Sequence, residues 1–167
     1  ILSDRPLLIA VNRGEARAVE PMPDALAARI EELGAAGLTL CASVESDIAG
    51  MDADDQADFL QDLGLSESAL DRFILAAYRL LDLISYFTVG TDEVRAWTIR
   101  RGMDAQRAAG KIHSDLERGF IRAEVTPYDV FMELGSEQAV KDAGKFQVEG
   151  KTYLVSDGDI MNIRFNV

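Results

Sequence analysis

The 167-residue sequence contains nothing of the form Gly-x-x-x-x-Gly-Lys-Ser/Thr. It therefore lacks the backbone N–H groups, the lysine and the Mg²⁺-binding hydroxyl with which a phosphate-binding loop grips a nucleotide. A single cysteine, Cys41, excludes an internal disulfide, and a single histidine, His113, leaves no Cys/His set for a structural zinc. No nucleophile-and-base constellation is visible. Apolar runs stay short of the roughly 20 residues that a membrane span needs. The start, Ile1-Leu2-Ser3-Asp4-Arg5, has no basic segment followed by a long apolar stretch. These absences describe a soluble, cytoplasmic binding fragment with no membrane partner, rather than a complete enzyme. The missing initiator Met points to a chain that begins inside a longer polypeptide, although processing or a disordered start would leave the same beginning.

What is present is enough for ordinary cores: 48% of the residues are hydrophobic. The net charge of −12 argues against a polyanionic partner unless a local patch reverses the sign. Its distribution is uneven. Glu45 to Glu67 holds eight acids and no base, whereas Val94 to Arg122 holds seven bases against three acids, a local +4. That asymmetry fits two modules with different partners; a solvated face is the plainer explanation.

The continuous apolar run Leu7 to Val11, ending at Asn12, reads as a parallel strand buried on both faces. Pro23-Asp24 opens a helix with Leu26, Ile30 and Leu33 on one face, closing at Gly34. Leu38 to Ala42 is then a second strand. Strand, helix and strand make a right-handed βαβ unit too small to stand alone, hence an incomplete sheet. An acidic helix from Asp54 to Leu63 follows, then a longer one from Ser68 to about Leu83. The latter opens on a capping box, Ser68 with Asp71, and its stripe of Leu70, Phe73, Ile74, Ala77, Leu81 and Ile84 reads as core.

After Ile84 the period changes to two. Ser85, Phe87 and Val89, a Gly90-Thr91-Asp92 turn, then Arg95, Trp97 and Ile99 form a hairpin signature. A helix from Asp104 to His113, a strand from Phe120 to Val125 and helical patches at 127–134 and 136–143 come next. Phe146–Val148, Tyr153–Val155 and Ile160–Phe165 are further β segments set off by Gly turns. The fold class is α+β: an incomplete parallel α/β remnant with helices over residues 1–82, then a β-grasp, ubiquitin-like module over 83–167.

Asn12-Arg13-Gly14-Glu15 follows the first strand at its carboxyl end, where open α/β sheets bind ligands. In GTPases the motif at this place is Asn-Lys-x-Asp, whose carboxylate accepts from the two N–H donors of guanine. A Glu at the last position is one methylene longer, which weakens the geometry that selects guanine. The second strand runs into Cys41-Ala42-Ser43-Val44-Glu45, where nucleotide domains place a loop that meets the base through backbone groups. Each segment alone also reads as a polar turn. Trp97 and Phe120 beside Arg100 and Arg122 could stack on RNA bases or belong to the sheet core. His113, at a helix end where an imidazolium favours the dipole, reads as structural or RNA-facing rather than as a general base.

Glu93-Val94-Arg95-Ala96-Trp97-Thr98-Ile99, Ala108-Ala109-Gly110-Lys111-Ile112-His113, Gly119-Phe120-Ile121-Arg122-Ala123-Glu124-Val125 and the closing Asp157-Gly158-Asp159-Ile160 and Phe165-Asn166-Val167 resemble the YchF family of Obg-like ATPases. The likeness spans nearly the whole chain and is strongest after residue 83, a part that resembles the TGS domain. It implies a translation-associated P-loop NTPase of the cytoplasm that uses ATP with Mg²⁺, prefers ATP to GTP and meets ribosomes or RNA. Carried over by position, Asn12, Arg13 and Glu15 match the altered base-specificity motif, and Ala42, Ser43 and Val44 the second base-side loop. Arg13 departs from the hydrophobic residue expected there. Arg95, Arg100, Arg101, Arg107, Lys111, His113 and Arg122 are the candidates for ribosome or RNA contact. Without its phosphate loop the fragment itself should be inactive and hold neither nucleotide nor Mg²⁺. The alternative reading is a free-standing β-grasp regulatory module with no nucleotide.

Overall fold

The computed structural model describes residues 5–90 and 93–166; the first four residues, the expected turn at Thr91-Asp92 and the terminal Val167 lie outside it. The chain divides into two compact units, one up to Leu81 and one from Asp82.

In the first unit, β1 (Leu8–Asn12) and β2 (Ala36–Leu40) pair in parallel, Leu8 opposite Ala36 and Asn12 opposite Leu40. The crossover is α1 (Asp24–Glu32), which follows Pro23 and ends before Gly34, where φ is +61°. Glycine takes that left-handed turn without the Cβ clash that other residues meet. The helix lies close on β2: a Cβ added at Gly37 would sit 2.9 Å from Ile30 Cδ1. Three helices follow, α2 (Ala42–Ala49), α3 (Ala53–Asp62) and α4 (Ala69–Leu80). Asp52 caps α3 by accepting from the Asp55 amide, and Ser68 caps α4 by accepting from the Asp71 amide at 3.1 Å. Each cap satisfies an orphan amide and is worth about 1 kcal/mol. Glu45 reaches across to accept from the Ala69 amide at 2.8 Å, holding the start of α4 to α2. Cys41, Val44 and Ile48 form a small core with Phe59, Leu60 and Leu63.

Two expectations change here. The apolar run of β1 is not buried on both faces: Ala10 is exposed and Leu7 is 50% exposed. Its sequence is that of an interior strand, but its only neighbour among the described residues is β2. Of the stripe assigned to α4, Ile84 is core but the earlier large residues are not. Leu70 is 65% exposed and Phe73, Ile74 and Leu81 between 43% and 47%. Two five-residue strands cover one side of this helix, where Ala69 is buried, and its apolar arc is wider than they reach. The helix also stops at Leu80, and Leu83 and Ile84 belong to the next strand.

The second unit consists of β3 (Leu83–Val89), β4 (Val94–Arg100), α5 (Ala105–Ile112), α6 (Ser114–Arg118), β5 (Phe120–Thr126), α7 (Tyr128–Leu134), α8 (Glu137–Asp142), β6 (Gln147–Glu149) and β7 (Ile160–Phe165). The sheet order is β4-β3-β7-β5-β6; β3 and β7 are parallel and the other pairs antiparallel. This mixed sheet places the chain in the α+β class. Ala105, Ala108 and Ala109 are fully buried on α5 and pack with Ile84, Tyr86, Ile99, Val125 and Met161. Small residues let the helix backbone approach the sheet. The fully buried Tyr86 donates its hydroxyl to the Ala108 carbonyl at 2.8 Å, and burial pushes its phenol well above the ordinary range. The expected strand at 153–155 is absent: one bridge, Asp104 to Leu154, stands in its place. A short helix, α6, occupies residues that the sequence reading left unassigned.

Arg164 on β7 donates two bonds, at 3.1 and 3.0 Å, to the carboxylate of Glu124 on β5. That bidentate contact holds Glu124 below the ordinary carboxylate range against an opposing desolvation effect. The native pKa therefore lies below the unfolded one, so the stabilisation is present at neutral pH and lost as pH falls below about 4.3. Glu124→Gln should lower unfolding free energy at pH 7 by about 1 kcal/mol in chemical denaturation. The gap from wild type should close as the solution is acidified through that window.

Candidate functional site

The loops that leave β1 and β2 at their carboxyl ends are tied together. Asn12 Oδ1 accepts from the Ala42 amide at 3.0 Å, and the Arg13 amide donates to the Leu40 carbonyl at 2.8 Å. The parallel register, with Asn12 opposite Leu40, brings these residues side by side. Asn12, Glu15, Ala42 and Ser43 are exposed there. Glu15 opens a 3-10 turn, Glu15–Arg17, and among the described residues its carboxylate has no ion pair.

Three details differ from the sequence reading. Cys41 to Glu45 is not a loop, because α2 begins at Ala42 with Cys41 as its N-cap. As in any α-helix, the next first-turn amides, of Ser43 and Val44, have no intrahelical carbonyl to bond, so the segment can still offer backbone donors. The Val44 side chain packs into the Cys41–Ile48 core, which leaves only its backbone for a ligand. Arg13 is folded back: its guanidinium bonds the Glu20 carboxylate at 2.9 Å and the Pro21 carbonyl at 2.8 Å, and its side chain is 8% exposed. Nε of Arg13 is buried without a hydrogen-bond partner among the described residues.

The basic residues of the second unit do not form one face. In β4 the buried Ile99 shares a side of the strand with Trp97 and Arg95, whereas Arg100 is on the opposite side. Arg95 stacks over the Trp97 ring, 4.2 Å from its centroid, and the Trp97 indole donates to Thr88. Arg101 pairs with Asp82, Arg107 with Asp104 and Arg122 with Glu124. Among the described residues Arg95, Arg100 and Lys111 are the exposed cations of this set with no ion pair. Phe120 is 3% exposed and belongs to the core, so it cannot stack on a base.

His113 joins two helices. It closes α5, and its Nδ1 accepts from the Asp115 amide at 3.2 Å, capping the N-terminus of α6. Asp115, held below its ordinary range chiefly by its bond to Arg118, stands beside the ring. The capping role of Glu45 on α4 has no sequence signal, because its partner Ala69 is 24 residues away.

The class defined by these observations is a two-unit α+β chain with a parallel βαβ element and a mixed five-stranded sheet. Residues 83–166 match the family model YchF-GTPase_C, described as "Protein of unknown function (DUF933)". The chain is 44% identical to "Ribosome-binding ATPase YchF" of Bacillus subtilis, aligned over 100% of this chain and 47% of that protein. It is 50% identical to the protein of that name from Haemophilus ducreyi over 88% of this chain and 40% of the relative. Against "Obg-like ATPase 1" of Gallus gallus it is 47% identical over 80% of this chain and 33% of the relative. The solved "Structure of the Schizosaccharomyces pombe YchF GTPase" superimposes with a TM-score of 0.82 at 32% identity, covering 96% of this chain and 43% of that one. The chain belongs to the YchF family. It spans less than half the length of these relatives.

Asn12→Ala should free the Ala42 amide and loosen the link between the two strand ends. The expected result is faster hydrogen exchange at Ala42 and a loss of about 1 kcal/mol in the stability of the first unit, with exchange at Tyr86 and Ile99 unchanged.

Proposed function

We propose that this chain is the C-terminal part of a translation-associated, cytoplasmic P-loop NTPase that prefers ATP to GTP. Residues 1–82 form the base-recognition edge of its nucleotide domain, and residues 83–167 form a TGS-type β-grasp domain that docks on the ribosome or its RNA. The observation that carries the nucleotide half is the 3.0 Å bond from the Ala42 amide to Asn12 Oδ1. It holds two candidate base-side segments together at the carboxyl ends of parallel strands, where α/β sheets receive ligands.

In this reading Asn12 shapes the edge, the α2 amides contact the purine and Glu15 stands where a guanine-selective Asp would. Arg13 acts as a buttress through Glu20 and does not touch the base. Among the described residues no group of three His, Cys, Asp or Glu side chains could hold a metal ion. With no Gly-x-x-x-x-Gly-Lys-Ser/Thr segment in these residues, the phosphates and Mg²⁺ of the whole protein would be held outside this chain, and hydrolysis would belong to the whole protein. The ribosome-binding half is supported by the relatives' names and by Arg95, Arg100 and Lys111, which have no ion pair among the described residues. Arg95 and Arg100 lie on opposite sides of β4, which fits a partner that wraps the strand edge better than a flat one.

Isothermal titration on the whole protein should show ATP bound more tightly than GTP, and Glu15→Asp should move selectivity toward GTP. A clear GTP preference in the wild type would sink the nucleotide reading. Co-sedimentation with ribosomes should weaken in Arg100→Glu with Arg101→Glu, more strongly at low salt than at moderate salt. Unchanged pelleting would place the ribosomal contact elsewhere.

A further inference from the structure

The second unit carries a cleft of about 740 Å³ on the face of the sheet turned away from the α5 core. The pleat of β3 creates it. Ile84 and Tyr86 point into the core, so Ser85 and Phe87 point to the other side, where α7 and the loop before β7 form the walls. Three aromatic rings line the cleft: Phe87, Tyr128 and Tyr153. Phe87 and Tyr128 lie 6.0 Å apart, centroid to centroid, at 36°. Three carboxylates line it as well, those of Asp129, Asp157 and Asp159, and no Lys, Arg or His does.

Those carboxylates have no counter-ion among the described residues. Asp159 is 4% exposed. The Tyr153 hydroxyl and the Ser156 amide both donate to its Oδ2, at 2.9 and 2.8 Å, and among the described residues Oδ1 accepts nothing. Asp159 lines the cleft, so that oxygen is available to a ligand entering it. The loop is rigidly placed: the Ser85 amide donates to Asp157 Oδ1, the Gly158 amide to the Ser85 carbonyl and the Phe87 amide to the Asp159 carbonyl, at 2.8–2.9 Å. Aromatic faces beside unneutralised carboxylates are complementary to an organic cation, which gains both cation–π and charge-assisted contacts. Phosphate-bearing ligands are repelled by the same charges.

We propose that this cleft binds a lysine or arginine side chain presented by a basic polypeptide segment of a partner protein. The volume exceeds that of one side chain, and the cleft is open to solvent, so the flanking backbone of an extended segment fits beside the anchored cation. The site is separate from the cations of β4 and α5, and this inference stands whether or not those cations meet RNA.

The test uses the 167-residue chain, amide NMR shifts and an amidated hexalysine probe, with hexaglutamate as the opposite-charge control. Saturable shifts should centre on Phe87, Tyr128, Tyr153 and Gly158, and hexaglutamate should produce none there. Asp129→Asn with Asp157→Asn, which keeps an acceptor for the Ser85 amide, should weaken hexalysine at least fivefold. Asp54→Asn with Asp58→Asn on α3 should not. Tyr128→Ala should weaken binding and Tyr128→Phe should retain it. Shifts centred on the Glu45–Glu67 stretch, or undiminished binding by the cleft variants, would overturn the proposal. Spermidine binding as tightly as hexalysine would overturn the assignment to a polypeptide and leave a free polyamine as the ligand.

Discussion

Strand β3 is the element on which the second unit depends, because each of its two faces and both of its edges are committed to different tasks. One face seats Ile84 and Tyr86 under the alanines of α5, and the Tyr86 hydroxyl locks that contact through the Ala108 carbonyl. Its edges pair with β4 and β7, and the Asp157–Asp159 loop is strapped to its backbone. The remaining face is thereby left to the cleft. A one-residue slip in its register would exchange the two faces and put Phe87 in the alanine-lined core.

The first unit shows what happens when such commitments are only partly met. β1 and β2 carry the apolar character of interior strands, yet they pair only with each other among the described residues, and α4 shows Leu70, Phe73 and Ile74 to solvent. What is well determined locally is the strand-end junction, where the Ala42 amide to Asn12 bond extends the β1–β2 ladder. Arg13 illustrates the same economy. Its charge is neutralised by Glu20, and a residue that reads as a ligand contact becomes a support for the loop that carries Asn12 and Glu15.

Much of the fold was legible because the signals were local. Ser68 with Asp71, Gly34 after α1 and the alternation from Ser85 to Ile99 depend on neighbours within a few residues, and they describe the helix start, the helix end and the hairpin correctly. The failures share one cause. Whether Leu70 or Phe73 is core depends on what covers the helix, and amphipathic spacing says only which residues lie together. Tyr153 to Val155 has strand composition but finds a single bridging partner in Asp104. His113 was placed at a helix end, but the second helix that it caps has five residues, too few for a periodic signal.

The sequence by itself determined the family resemblance, the α+β alternation and the residues Asn12, Glu15 and Ala42–Val44 as a pair of segments worth joining. Those rest on spacing and residue type, which the chain carries at every point along its length. Only the tertiary structure decided that Asn12 bonds Ala42 across 30 residues, that Arg13 turns inward and Phe120 is buried, and that Asp129, Asp157 and Asp159 share a cleft with three aromatic rings. Each of those outcomes depends on contacts between residues distant in sequence, and such contacts arise only when strand register and helix packing bring the partners within reach.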